Sequence, residues 1–198
     1  MNTVLLNCKS KKQSLAESNL QLLVHDYIYR WGNSYEIEDR WWGDKTLSWK
    51  EAMKRAWESR LSNTKMHGHQ CRVANKLAEG FKVAFSDGIQ PEDLHNFQSL
   101  YDWVKSVVDR VKGLGATTAY DVARRLGAWL RLEASVVYLH AGTSAGARKL
   151  GIKGSIAPRS AFPKEIQSLG ATHAENFLCI YKDQLSDIAA QNVSTANN

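Results

Sequence analysis

The residues with the clearest chemical potential surround a short glycine turn, Gly113-Leu114-Gly115. An apolar run ends at this turn, and a helical pattern that opens with small and hydroxyl residues starts directly after it. Glycine allows positive φ and lets another group approach the backbone closely. The first N–H groups of a helix have no partner within the helix, so they can hydrogen-bond an anion. The sequence therefore predicts that the amides of this turn bind a phosphate group.

Polar side chains near this turn could add to phosphate binding. Two threonines offer hydroxyls in the first turn of the following helix, and an arginine pair comes one or two turns later. Residues 141–147 repeat the theme of small residues, glycines and hydroxyls, and could form a second, degenerate hairpin followed by a basic pair. The candidate phosphate-binding residues are Lys112, Gly113, Leu114, Gly115, Thr117, Thr118, Arg124, Arg125, Arg148 and Lys149.

Residues 107–126 resemble the helix-hairpin-helix (HhH) motif of DNA-binding proteins that do not read sequence. In that family two helices flank a hairpin of the form apolar-x-Gly-apolar-Gly, and the hairpin amides grip a DNA phosphate. The apolar positions of the motif correspond to Val108, Val111, Leu114, Ala119, Val122 and Ala123. The resemblance covers about a tenth of the chain, so it implies a mode of binding and leaves the rest of the function open.

The resemblance does not extend to the catalytic members of that superfamily. In HhH glycosylases with lyase activity, a catalytic lysine stands two residues after the second hairpin glycine, and Thr117 occupies that position here. The aspartate those enzymes carry further along is missing from residues 130–142, where Glu133 is the acidic residue. His67 and Cys71 share a helix face, but a closed zinc site needs four ligands and no second pair is evident. We therefore expect no glycosylase chemistry, no metal and no cofactor.

The positive charge of the chain is concentrated around the turn. The protein has 26 Lys/Arg and 20 Asp/Glu, a net charge of +6. Residues 110–164 contain ten basic residues and two acidic ones, whereas residues 1–109 are nearly neutral and residues 165–198 are acidic. A basic segment beside a phosphate-binding turn is the electrostatic signature of a nucleic-acid binder. DNA, contacted through its phosphate backbone, is therefore the predicted partner.

Helical signals dominate the chain and predict a compact, all-α multi-helix fold. Ser48 with Glu51 fits a capping box, and Pro91 suits the first turn of a helix. Residues 32–46 are predicted to be a loop with a short extended piece at 35–37, and residues 151–163 a second loop. Composition suggests a tryptophan-rich N-terminal region (1–90), a basic region with the hairpin (91–190) and a disordered tail (191–198). Helices are predicted over 14–31, 48–61, 67–85, 91–111, 117–130 and 172–190, with another near 133–141.

These patterns favour a cytoplasmic accessory protein that acts on DNA. The chain has no 18-residue apolar run, its first residues lack the order of a signal peptide, and its three cysteines form no CxxC pair. The setting would be DNA repair, recombination, mobile-element biology or phage defence, with a helicase or nuclease as a possible protein partner. Two alternatives stay open: a protein–protein adaptor that uses the loop residues Trp41 and Trp42, and a nucleic-acid enzyme with a dispersed active site.

Overall fold

The computed structural model describes residues 3–68 and 70–185, with side chains from residue 19 onward. It is mostly helical, with one two-stranded sheet, so the predicted all-α class is confirmed in its coarse form. Two units are present: one is Asn33–Ser135, and the other combines Met1–Gly32 with Val136–Asn198. They do not follow the division at residue 90 that composition suggested. No described helix is long and apolar enough to cross a membrane.

The first helix is much longer than predicted. It runs without interruption from Thr3 to Trp42 (α1), so the loop and extended piece expected within residues 32–46 are wrong up to residue 42. Tertiary contacts explain why the helix continues past Gly32. Beyond it, Trp42 is 6% exposed, and the carboxylates of Glu38 and Asp39 bond Ser62 and Arg124 in the same unit. Such contacts outweigh the weak local preference of Gly32-Asn33-Ser34 for a turn.

The unit Asn33–Ser135 contains four further helices, two of which begin at capping boxes. Ser48 forms the predicted capping box with Glu51, and α2 begins at the next residue. Pro91 opens only a single 3₁₀ turn. The α-helix starts later, where Asn96 forms a capping box with Ser99. The helices are α2 (Trp49–Glu58), α3 (Ala74–Ser86), α4 (Phe97–Asp109) and α5 (Ala116–Leu130). Helices α3 and α4 therefore begin about one or two turns later than the sequence predicts.

The second unit contains the sheet, which the sequence did not predict. Strand β1 (Val136–Tyr138) pairs antiparallel with β2 (Ile156–Pro158), so the helix expected near 133–141 is wrong. Two valines followed by a tyrosine have high strand propensity, and β2 supplies their backbone partners. Residues 141–149 form one continuous helix, α6 (Ala141–Lys149), so the second hairpin is also wrong. Short α7 (Lys164–Gln167) and α8 (Gly170–Ile180) follow. The predicted helix to 190 is wrong at residues 181–183, which form a bend and a turn, whereas residues 186–190 and the tail lie outside the described residues.

The glycines of α6 serve helix packing. A Cβ on Gly142 would lie 2.6 Å from Sγ of Cys179, and a Cβ on Gly146 would lie 2.2 Å from the carbonyl oxygen of Leu178. Both distances are far below van der Waals contact, so these two glycines let α6 pack directly against α8. Between the helices lies a buried polar cluster, in which the hydroxyl of Thr143 donates to the carboxylate of Glu175.

Tyr181 gives this unit a testable dependence on alkaline pH. Its hydroxyl donates to Asp26 at 2.6 Å, and its burial together with this bond raises the pKa of Tyr181 to about 12. An unfolded tyrosine has a pKa of about 10. Because the folded pKa is the higher one, this contribution to stability is complete below pH about 10 and is lost as the pH rises toward 12.

We therefore expect the urea midpoint to fall between pH 10 and 12, and Tyr181→Phe to remove much of that fall. Tyr29→Phe is the matched control, because Tyr29 belongs to the same unit and is 89% exposed. The tyrosinate absorbance of the folded protein, titrated in parallel, should lose a step near pH 12 in Tyr181→Phe. The same alkaline fall in both variants would contradict the coupling.

Candidate nucleic-acid interface

Helices α4 and α5 pack against each other and are joined by the short segment 110–115, which we call the hairpin. Both helices bury apolar faces in the unit Asn33–Ser135. Of the six apolar positions quoted from the sequence, five are at most 3% exposed: Val108, Val111, Ala119, Val122 and Ala123. Leu114 is half-buried at the tip of the turn. The sequence pattern therefore corresponds to a packed helix pair whose connection is held at the surface.

The two hairpin glycines have different roles. Gly113 has φ of +99°, a left-handed conformation in which an L side chain is strained, so the turn itself needs glycine there. Gly115 has φ of −150° and ψ of −175°, an extended conformation open to any residue. A Cβ on Gly115 would have no atom within 4 Å. The fold therefore does not require glycine at position 115, although the sequence places one there.

Gly115 is the N-cap residue of α5, and its lack of a side chain leaves the helix end uncapped. The first helical hydrogen bond joins the N–H of Ala119 to the carbonyl of Gly115, at 3.0 Å. The N–H groups of residues 116–118 belong to the first turn, where the helix supplies no acceptor. Gly115 and Ala116 are exposed, so a ligand can approach this end of the helix. Uncapped amides and the positive end of the helix dipole together suit an anion.

The threonines after the hairpin are not equivalent. Thr117 is half-buried, so its hydroxyl stays near the surface beside the uncapped amides. Thr118 is 6% exposed and points into the unit. Only Thr117 is therefore placed where its side chain could touch a ligand at the helix end.

The arginine pair expected to reach phosphates faces the protein instead. The guanidinium of Arg125 is 5% exposed, donates to the carbonyl of Ala56 at 3.1 Å, and lies 3.8 Å from Asp121. The guanidinium of Arg124 forms an ion pair with Asp39 at 2.9 Å, and its side chain is 20% exposed. Arg125 is thus a structural cation, and Arg124 is mostly engaged within the unit, so we leave both out of the proposed interface.

The basic segment 110–164 is divided between the two units. Arg148 and Lys149 are exposed at the end of α6 in the second unit, whereas the hairpin belongs to the unit Asn33–Ser135. Arg110, at the start of the hairpin, donates to Asp87 at 2.8 Å and holds the pKa of that carboxyl below its ordinary value. This ion pair ties the end of α3 to the hairpin. The candidate interface in this unit therefore depends on fewer cations than the sequence suggested.

Two lysines lie in or beside the hairpin. Lys112 is exposed in the hairpin itself. Lys76 of α3 lies beside Gly113, where its Cγ would be 3.9 Å from a Cβ built on that glycine. Its ammonium reaches Glu79 at 2.9 Å, and its side chain is 47% exposed. No sequence pattern assigns Lys76 to the hairpin, because only the packing of α3 against the turn brings the two together.

Comparisons with protein-family models, curated proteins and solved structures gave no match to this chain. The site is therefore defined by its own geometry. Among residues 3–68 and 70–185, no group of three or more His, Cys, Asp or Glu side chains is arranged to hold a metal ion. The hairpin combines the uncapped first-turn amides of α5 with an exposed lysine, Lys112.

Proposed function

We propose that this protein binds DNA through its phosphate backbone, without reading sequence, and that the hairpin is the contact. The observation that carries the proposal is Gly115: an exposed glycine whose conformation and surroundings do not require glycine, placed where any side chain would cover the uncapped amides of α5. Backbone amides and lysines at phosphates carry no base information, so binding should be similar for unrelated sequences.

The side chains that support this role are Lys112, Lys76 and Thr117. The positive charge of Lys112 in the hairpin adds electrostatic attraction to a phosphate. The stem of Lys76 lies beside Gly113 while its ammonium bonds Glu79, and the threonine hydroxyl can donate a further hydrogen bond. A part in DNA repair, recombination or defence, next to a helicase or nuclease, belongs to this proposal as its biological setting.

Fewer observations support the alternative that the protein is a protein–protein adaptor. Trp41 and Trp42 lie in α1 instead of a loop, and Trp42 is buried. The indole N–H of Trp41 donates to the carbonyl of Arg60 at 2.9 Å, and its ring faces the guanidinium of Arg55. These tryptophans are engaged in packing within their own unit, which favours the DNA-binding proposal.

The proposed function is tested by the salt dependence of DNA affinity in one pair of lysine variants. Fluorescence anisotropy with two unrelated duplexes should give equal affinities that fall steeply with salt. Lys112→Ala should weaken both equally and lower the slope of log K against log salt by about 0.9, the value expected for one lost phosphate contact. Lys105→Ala is the control, because Lys105 is an exposed lysine of α4 held by Asp109 at 2.6 Å.

The control variant should keep the slope of the parent protein. Equal losses in both lysine variants would mean that general charge, and not the hairpin, drives binding. Affinity that differs strongly between the two duplexes would contradict binding through the backbone alone.

A further inference from the structure

A groove of about 350 Å³ lies between α2 and α3 in the unit that carries the hairpin. Its floor includes Trp57 and Leu77, each 1% exposed. Met66 and Phe81 are half-buried in its walls, so apolar surface faces the groove on more than one side. Phe81 also stacks on Phe85, with ring centroids 6.0 Å apart, which fixes the orientation of its ring. The interior suits a flat, largely apolar group.

The rim of the groove is cationic. Lys54, Arg60 and Lys82 are exposed there, against one carboxylate, Glu58. The ammonium of Lys54 is 3.7 Å from Glu58, with both side chains about half exposed or more, so this pair is weak. An aromatic slot with a positive rim is complementary to a ligand that joins a flat ring to a negative charge. A nucleotide has this combination of properties.

The floor of the groove is rigid, and its lining offers a polar group that suits a base. The indole of Trp57 is fixed by its packing on Gly80, where a Cβ would come within 2.3 Å of Cζ3. Asn75, which is exposed in the lining, offers both a donor and an acceptor.

The groove and the hairpin share one helix. Along α3, Ala74, Asn75, Ala78 and Lys82 line the groove, whereas Lys76 lies beside Gly113 of the hairpin. The two features therefore occupy adjacent faces of the same helix, in one unit. A strand whose phosphate lies at the hairpin would have its neighbouring nucleotides near this part of α3.

We propose that the groove receives an unpaired nucleotide of the DNA whose phosphate the hairpin binds. This inference rests on the proposed function and adds a substrate class to it: duplex DNA with an overhang or gap, in preference to blunt duplex. The base would stack on the aromatic wall, and the rim lysines and arginine would attract its phosphate. Stacking on an aromatic side chain tolerates any base, so the preference would be for structure and not for sequence.

The probe is a duplex with a short single-stranded overhang that contains 2-aminopurine, compared with the blunt form of the same duplex. The parent protein should bind the overhang form tighter by on the order of tenfold, and the 2-aminopurine fluorescence should be quenched on stacking. Ala78→Trp should fill the groove, because Ala78 is exposed in its lining. That variant should bind both forms with the blunt-duplex affinity and lose the quenching.

Ser86→Trp is the matched control, because Ser86 is exposed on the same helix and outside the groove lining. It should keep both the preference and the quenching. Lys82→Glu, which reverses one rim charge without filling the groove, should reduce the overhang preference and serves if Ala78→Trp fails to fold. Equal affinity of the parent for both DNA forms, or an overhang preference that survives in Ala78→Trp, would overturn the groove inference while leaving the hairpin function intact. Absence of binding to either form would overturn both.

Discussion

Replacing Gly115 with aspartate should abolish DNA binding while the protein stays as stable as the parent or becomes more stable. Aspartate is among the best N-cap residues, and the β-region backbone of Gly115 is the conformation that an N-cap residue adopts. The side chain has room, since no atom lies within 4 Å of the Cβ position. It would accept a hydrogen bond from the first-turn amides and bring a negative charge to the place where we expect phosphate.

The measurements are duplex affinity by anisotropy and the melting temperature with and without DNA. In the parent, saturating DNA should raise the melting temperature by linkage; in Gly115→Asp, that shift should vanish although the free protein melts no lower. Gly68→Asp controls for the added charge, because Gly68 is exposed and also has nothing within 4 Å of its Cβ position. A Gly115→Asp protein that keeps its DNA affinity would rule out the uncapped amides as the phosphate site.

Substitution of Gly113 should affect folding as well as binding, unlike substitution of Gly115. The φ of +99° at Gly113 means that Gly113→Ala should lower the free energy of unfolding by about 1–3 kcal/mol through backbone strain. Loss of binding in that variant would be ambiguous, because the turn itself would shift. Gly115 is therefore the more informative position: its substitution separates binding from folding, whereas substitution of Gly113 combines them.

The hairpin and several helix starts could be predicted because their signals are local. A capping box at Ser48 and two glycines between apolar helical runs specify structure within a few residues, and the structure has these features where the sequence placed them. The N-cap at Asn96 is equally local, but the proline at 91 gave an earlier and competing start signal. Local chemistry of this kind is decided by hydrogen bonds between near neighbours, so it needs no knowledge of the rest of the fold.

Other features depend on partners distant in sequence. Helix α1 continues past Gly32 because Asp39 and Trp42 have partners more than 80 residues away. Strand β1 exists because residues 156–158 pair with it. The residues next to an arginine in a basic segment do not determine whether it faces solvent or a buried carbonyl. The direction of Arg125 is set by α2, and no periodicity within α5 alone could have distinguished it from Arg124.

Because Arg125 is buried and Arg124 is partly exposed, their substitutions should have very different effects on stability. Arg125→Ala should lower the free energy of unfolding by about 3 kcal/mol, because it removes a buried cation, takes the donor from the carbonyl of Ala56 and leaves Asp121 with Gln70 as its remaining partner. It also empties the space beside the ring of Trp42, whose centroid is 5.1 Å from the guanidinium carbon. Burial lowers the pKa of Arg125 and the neighbouring Asp121 raises it, as expected for a buried cation that relies on its protein partners.

Arg124→Ala is the control that the chain itself provides. Its ion pair with Asp39 is partly solvated, with the Asp39 side chain 45% exposed, so its loss should cost at most about 1 kcal/mol. Urea denaturation of both variants gives the comparison, and anisotropy at several salt concentrations should show an unchanged slope for Arg124→Ala. If Arg125→Ala instead kept the stability of the parent and lowered the salt slope, Arg125 would have to leave its buried position to reach phosphate. DNA binding would then require a rearrangement of α5, and the interface would extend along that helix beyond the hairpin.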